Sequence, residues 1–180
     1  MAVRQAAGVR FEFGADFDTN GVLHYLATRS GGYVNPDVSG VVVAAMSGVL
    51  YDDPDNGSPD RFVQNQSDGN NNLTKNEPNS WMSVNLRRSL VVDHYCLRSG
   101  KYGDYKPRHW ELQGSDDSSN WHTLKKHTND TELADTDFST ANWSVEAGGR
   151  AFSHFRILQN SSGSYHILGC AGIEFYGTLL

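Results

Sequence analysis

Apolar residues recur at every second position in several short stretches of this chain. That spacing constrains the fold more than any other feature. In Trp81–Leu86, the side chains of Met82, Val84 and Leu86 fall on one face. Trp110 and Leu112 point one way, Glu111 and Gln113 the other. Ile173 and Phe175 alternate with Glu174 and Tyr176, and Phe155 and Ile157 repeat the spacing. A period of two reads as a strand with one face on a core and one face in water. Val41–Ala45 and Leu90–Leu97 are more evenly apolar and read as strands covered on both faces.

Between the strands run polar loops, at 51–78, 101–108, 130–137 and 159–165. One short helix is expected in the first, with Ser58 as cap, Pro59 at its first position and Phe62 and Val63 as anchors. Helical periodicity is weak elsewhere. In the Gly-Ser turn at Gly114–Ser115, the polar residues 116–120 reverse the chain, and Trp121 is expected to plug the core beside Leu124. No internal repeat or linker divides the 180 residues, so the reading is one all-β domain. It is an antiparallel sandwich of about eight strands, with 1–10 as an N-terminal extension and 11–180 as the domain.

Charge and composition remove whole classes of function. The formal net charge is -6, and the densest basic spots, Arg87-Arg88 and Lys125-Lys126, are two residues long. A nucleic-acid surface needs a basic stripe, so nucleic acid is not expected as a partner. The longest apolar run, 41–46, is too short to span a bilayer. Met1–Arg10 has no apolar run of signal length, which points to a cytoplasmic chain or a piece of a longer protein. The chain ends soon after its last apolar strand, which favours the piece. Six Asn-x-Ser/Thr sequons, at Asn56, Asn65, Asn72, Asn129, Asn142 and Asn160, pull toward secretion unless they merely reflect an Asn- and Ser-rich composition. Cys96 and Cys170 lie in apolar surroundings and are expected as buried free thiols.

Two stretches then resemble a known family. They are 110–124, Trp-Glu-Leu-Gln-Gly-Ser-Asp-Asp-Ser-Ser-Asn-Trp-His-Thr-Leu, and Phe155–Gln159 followed by a polar loop and Gly172–Gly177. Both are similar to the discoidin, or coagulation factor 5/8 type C, domain. Phe17–Gly21, Asn35-Pro36, Asn79–Trp81 and Tyr95–Gly100 resemble the intracellular branch of that family, found in HECT-type ubiquitin ligases and BTB-domain proteins. The resemblance spans nearly the whole chain. It implies a galactose-binding-like jelly roll and a binding role rather than catalysis. Secreted members bridge a cysteine at the domain start to one at its end. No cysteine precedes Cys96, so that staple is absent, as suits a reducing compartment.

Candidate sites follow from residue chemistry and the resemblance together. Asp16-Phe17-Asp18-Thr19-Asn20-Gly21 begins like an EF-hand loop, but Ala27 stands where a bidentate Glu is needed. The family resemblance implies a structural Ca²⁺ here instead, on Asp16, Asp18 and Asn20, with Glu174 as a further ligand. The plainer alternative is an Asx-type turn. No other cofactor is expected. The seven histidines are scattered, without metalloprotease spacing or a nucleophile elbow, so catalysis is not expected. Ligand recognition wants aromatic platforms with planar donors, and Arg to grip carboxylates. Arg98, Tyr102, Tyr105 and Arg108 follow one strand, and Asn160, Ser162, Tyr165 and His166 occupy the last large loop. These loops, with Trp81 after Asn79-Ser80, are expected to converge at one end of the sandwich. Trp81 and Arg98 each have a structural alternative, in the core and in an ion pair. The expected function is a non-catalytic module for protein–protein interaction in a larger intracellular assembly, with ubiquitin ligation in view. Carbohydrate binding is the alternative.

Overall fold

The longest element of the chain, a 19-residue strand, organises the rest. This strand, β3 (Trp81–Ser99), carries hydrogen-bonded partners along both of its halves. Its first half pairs with β2 (Val43–Met46) and with β7 (Phe152–Gln159). Its second half pairs with β6 (Thr140–Ser144) and β8 (Cys170–Leu179). β4 (Trp110–Ser115) extends the first layer from β7, and β5 (His122–His127) extends it from β4. β1 (Val9–Phe11) closes the second layer on β8. Every one of these pairings is antiparallel. The computed structural model describes residues 8–146, 148–160 and 165–180.

The exchange of partners has a local cause. Arg87 sits at φ 54, and the β3–β7 register shifts between Asn85 and Leu90. An irregularity of this kind bends a strand and carries it from one layer to the other. The layers then close on a common core. Phe155 of β7 meets Phe175 of β8 with ring centroids 5.0 Å apart. Trp110 of β4 donates its Nε1 hydrogen to the Tyr95 hydroxyl of β3 at 3.1 Å. Met82, Val84, Leu86, Trp110, Leu112, Phe155, Ile157, Ile173 and Phe175 are all buried, as their alternation predicts. The fold is the expected antiparallel jelly-roll sandwich.

Several local expectations need correction. Glu174 and Tyr176 do not face water, because the outer face of β8 carries a second layer. A helix, α1 (Val22–Thr28), lies there and buries Val22, Leu23, Leu26 and Ala27. Seven residues are too few to announce a helical period, and its N-cap, Gly21, has no capping side chain. Glu174 supplies the cap from across the chain. Its carboxylate accepts from Leu23 N at 2.7 Å, His24 N at 2.9 Å and Phe175 N at 2.9 Å. A Cβ on Gly21 would stand 2.1 Å from the Glu174 carboxyl carbon, so glycine is required by the close approach.

Trp121 does not plug the core. It is half-buried on the outer surface, with the Arg156 guanidinium stacked 4.2 Å from its ring centroid. The first strand starts at Val9, inside the segment read as an extension, because Val9 and Arg10 pair with Leu179 and Thr178. β2 is an edge strand with Val43 exposed, not a strand covered on both faces. The expected helix is a 3₁₀ turn, Pro59–Val63, anchored by buried Phe62 and Val63. Ser58 does not cap it; its hydroxyl donates to Asp60 instead. Cys96 and Cys170 are buried free thiols. Burial pushes the Cys96 thiol far up its range and the Cys170 thiol up to about 12.

Two sequons serve the interior. Asn72 is buried, donates to Cys170 O at 2.9 Å and accepts from Ser58 N at 3.0 Å. Asn65 is buried and donates to Phe17 O at 3.1 Å.

Desolvation raises the Glu174 carboxyl to about 7, against the pull of its three N–H donors. The folded state therefore keeps this proton while the unfolded chain, at the ordinary 4.5, loses it. The contribution of Glu174 to stability falls as the pH rises from 4.5 toward 7. In urea unfolding, Glu174→Ala is expected to cost about 3 kcal/mol by orphaning buried N–H groups. Glu174→Gln should cost less at pH 8 than at pH 5.

Candidate functional site

Folding β3 at 87–89 brings six strand ends to one side of the molecule. In one layer these are Ser99, Thr140 and Cys170; in the other they are Trp110, His127 and Gln159. The connections 100–109 and 128–139 cross between the layers here, beside residues 160 and 165–169. Backbone bonds stitch them together: Gly100 N to Gly169 O at 3.3 Å, Asp130 N to Arg108 O at 2.9 Å, and Asn160 N to His109 O at 2.9 Å. Beneath them sits a small core of Leu50, Leu73 and Ile167, with Tyr105 packed against it.

This loop end presents tyrosines. Tyr102, Tyr105 and Tyr165 form a row of edge-on rings with centroids 6.4 and 6.3 Å apart. Tyr102 is 54% exposed and Tyr165 63%. Tyr51 stands further out, at 83%, and it and Asp52 have φ of 58 and 52. Two consecutive non-glycine residues in the left-handed region are strained, a condition that gathers at functional sites. A cavity of 340 Å³ opens among Tyr51, Tyr102, Asp104 and Tyr105, and one of 110 Å³ among Lys106, Arg108, His109 and Tyr165.

The expected residues divide on this geometry. Tyr102, Arg108, Asn160, Tyr165 and His166 come to the loop end; Ser162 lies outside the described residues. Asn160 is exposed, and the His166 N–H donates to Asn76 Oδ1 at 2.7 Å. Arg108 reaches the smaller cavity, but its guanidinium pins loop 128–139. It donates to Asp130 O, Leu133 O and Asp135 Oδ1 at 3.2, 2.8 and 2.9 Å. Lys106 donates to the same Asp135 oxygen at 3.1 Å and holds that carboxyl below its ordinary range. Trp81 is not in the core: it begins β3 at the loop end, opposite Leu158, and its side chain lies on the open face of the first layer.

Arg98 is not part of the loop-end set. Its neighbours Cys96 and Glu174 share the covered outer face, and Arg98 is there too, only 8% exposed. Its guanidinium lies 4.0 Å from the Phe17 ring centroid and donates to Asn65 O at 2.7 Å. Among the described residues Nη1 has no partner, and no carboxylate pairs with Arg98.

Asp18 caps the backbone of its own turn, while Asp16 and Asn20 bond other side chains. Asp18 accepts from the N–H groups of Gly14, Ala15 and Asn20 at 3.1, 2.9 and 3.0 Å, and also from the Asn20 amide. Asp16 accepts from Asn142 Nδ2 at 2.8 Å. Glu174, the further ligand the resemblance implies, is filled by its three N–H donors. The residues present thus form turn caps, and a calcium cage does not fit them as they stand. Among the described residues no group of three His, Cys, Asp or Glu side chains is placed to hold a metal.

One histidine network is sealed inside. His127 bonds Asp130 Oδ2 and the Tyr95 hydroxyl, each at 2.7 Å, and stacks on Trp110 at 3.9 Å. Trp143 Nε1 donates to the same Asp130 oxygen at 3.0 Å. Burial lowers the imidazole pKa and raises that of Tyr95. Tyr95 and His127 are buried, and Asp130 keeps 15% of its side chain exposed. The network's visible effect is to anchor loop 128–139 to the core.

The fold is that of discoidin-type, galactose-binding-like domains. No family model matches the chain. Among solved structures it is similar to a CBM32 module of Clostridium perfringens, in complex with GalNAc-β-1,3-galactose. That match has a TM-score of 0.60 and 15% identity, covering 77% of this chain and 96% of that one. An F5/8 type C domain of Bacteroides fragilis matches with TM-score 0.60 and 18% identity, over 77% and 93%. In sequence the chain is 34% identical over 174 residues to the E3 ubiquitin-protein ligase hecd-1 of Caenorhabditis elegans. It is 32% identical over 180 residues to the E3 ubiquitin-protein ligase Ufd4 of Drosophila melanogaster. These matches cover 92% and 94% of this chain but 6% of each ligase. A BTB/POZ domain-containing protein of Arabidopsis thaliana is 24% identical over 86% of the chain and 20% of its own length. Relatives and neighbours agree with the resemblance read from the sequence. Among the described residues no helix is long and apolar enough to cross a membrane.

Arg98→Ala is expected to lower the unfolding free energy by about 2–3 kcal/mol through lost packing, a buried hydrogen bond and the ring contact. Chemical denaturation of the two proteins checks it. The Asp16–Asn20 turn is expected to fold without a cation, so excess EGTA should leave the melting temperature unchanged; a clear drop would restore the calcium site.

Proposed function

We propose that the chain is a non-catalytic recognition module that holds a protein partner through its loop end, inside a larger intracellular assembly related to ubiquitin ligation. The observation that carries this reading is its likeness, along nearly its full length, to a segment of two ubiquitin-protein ligases. The loop end suits such a role. Exposed tyrosines give large, rigid contact area with a polar tip, and they are enriched in recognition surfaces. The basic side chains below them are engaged in pinning loops, so the platform is preorganised. Burial of two of the six sequons supports composition, rather than secretion, as their origin.

Carbohydrate binding is the second reading, favoured by the disaccharide complex of the similar CBM32 module. One paired experiment separates them. A photo-crosslinking amino acid placed at Tyr51, at the rim of the larger cavity, is used in cells, and the purified domain is screened on a glycan array. The expected result is a discrete protein adduct that weakens about tenfold or more when Tyr102→Ala and Tyr165→Ala are combined, with a blank array. Saturable glycan binding abolished by the same two substitutions would replace the protein partner with a sugar.

A further inference from the structure

The open face of the first layer holds a groove that the loop-end reading does not use. Strand register sets its floor in rows. Val43, Asn85 and His154 stand abreast, and Ala45, Ser83 and Arg156 form the next row. Ala45 and Ser83 are small, so the middle of the face is low. Trp81 rises at one end. Trp121 overhangs the other side, its ring stacked on the Arg156 guanidinium. The resulting cavity is 370 Å³, within the range of about 300–1,000 Å³ typical of ligand clefts.

The overhang is fixed before anything binds. Trp121 Nε1 donates to Ser118 O at 3.1 Å, and Ser118 has φ 59. Asp117 accepts from the N–H groups of Ser119 and Asn120 and from the Asn120 amide at 2.9, 2.7 and 2.7 Å.

Charge gives the groove its polarity. Among the described residues no carboxylate lines it. Arg156 commits Nε to Gln113 Oε1 at 2.7 Å, and among the described residues it has no ion pair. His154 bonds Ser153 through Nδ1, leaving Nε2 on the far side of the ring. Glu111 stands in the Trp81–Leu158 row of the same face, and its charge acts on Arg156, but its carboxylate accepts from Gln113 and Thr123; Asp116 lies 3.6 Å from Arg150. In a chain of net charge -6, this is a cationic, indole-walled slot. A guanidinium with two free nitrogens matches a carboxylate, and the indoles match apolar groups beside it.

We propose that this sheet-face groove is a second docking site, and that it takes an extended, carboxylate-bearing peptide segment of a protein partner. The carboxylate lies on Arg156, and apolar side chains lie against Trp81 and Trp121. The floor favours an extended chain: Trp81, Ser83 and Asn85 recur at about 6.6 Å, the spacing of same-side residues in a strand. The proposal rests on the protein-partner reading above, but on a different surface.

The test is an array of capped hexapeptides in which each position is glutamate, glutamine or leucine, probed with the purified domain. Peptides alternating glutamate and leucine are expected to bind about tenfold more tightly than their glutamine counterparts. Arg156→Gln should erase that difference, and Ser83→Phe should fill the depression and weaken all of them about tenfold. Tyr165→Ala should change nothing here. Equal binding of glutamine peptides, survival of the preference in Arg156→Gln, or no retention of any peptide would overturn the site. So would displacement of the peptides by glucuronate at lower concentration than by N-acetylglutamate, which would make the ligand a sugar acid. If Tyr165→Ala fails to affect partner capture while the groove binds peptide, the loop-end reading alone falls.

Discussion

The hydrogen-bonded spine of β3 is the constraint on which the rest of this domain depends. One strand supplies a ladder to β2 and β7 before its bend and to β6 and β8 after it. The two layers are therefore continuous at the fold and free at the far end, where the long connections gather. A binding surface built from several loops needs a rigid base. Here the base is the set of strand ends that the bend at Arg87 brings level. The same bend exposes the face of the first layer while α1 and the segment before it cover the second.

Burial on both faces of β8 explains the most demanding polar chemistry in the protein. Ile173 and Phe175 point into the sandwich, while Glu174 points under α1 and Tyr176 under the segment before it, against Phe13 and Ala15. A fully buried carboxylate is costly unless it is bonded, and Glu174 is bonded to three backbone donors at the start of the helix. A cap supplied 150 residues away joins the helix to the sheet in a way that local sequence does not reveal. That is why the alternation in 172–177 announced the strand and its core side yet gave the wrong environment for its other side.

The site was legible in part, for a similar reason. Turn chemistry and spacing were enough to locate the loops and the exposed tyrosines within them, because loops that join strand ends must lie at the ends of a sandwich. Side-chain partners were not legible. Arg98 and Arg108 looked alike as cations in sequence, but one is buried under Phe17 and the other ties down 130–135. Trp121 looked like a core residue, since a Trp after a turn usually is, but its ring stacks outside on Arg156. The one available signal was parity: Trp81, Ser83 and Asn85 fall on the face opposite Met82, Val84 and Leu86, which makes that Trp an outer-face residue. Nothing comparable marks the His127–Asp130–Tyr95 network, whose tyrosine lies 32 residues before the histidine.

Amide hydrogen exchange across a denaturant series tests the central claim, that β3 joins both layers and the loop end into one unit. Amides in 82–86 and in 92–97 are expected to exchange only through global unfolding, with the same free energy and the same denaturant dependence. Amides in 102–105 should exchange through smaller, local openings. If the two halves of β3 instead open separately, with distinct free energies, the layers are independent units and the spine does not carry the structure.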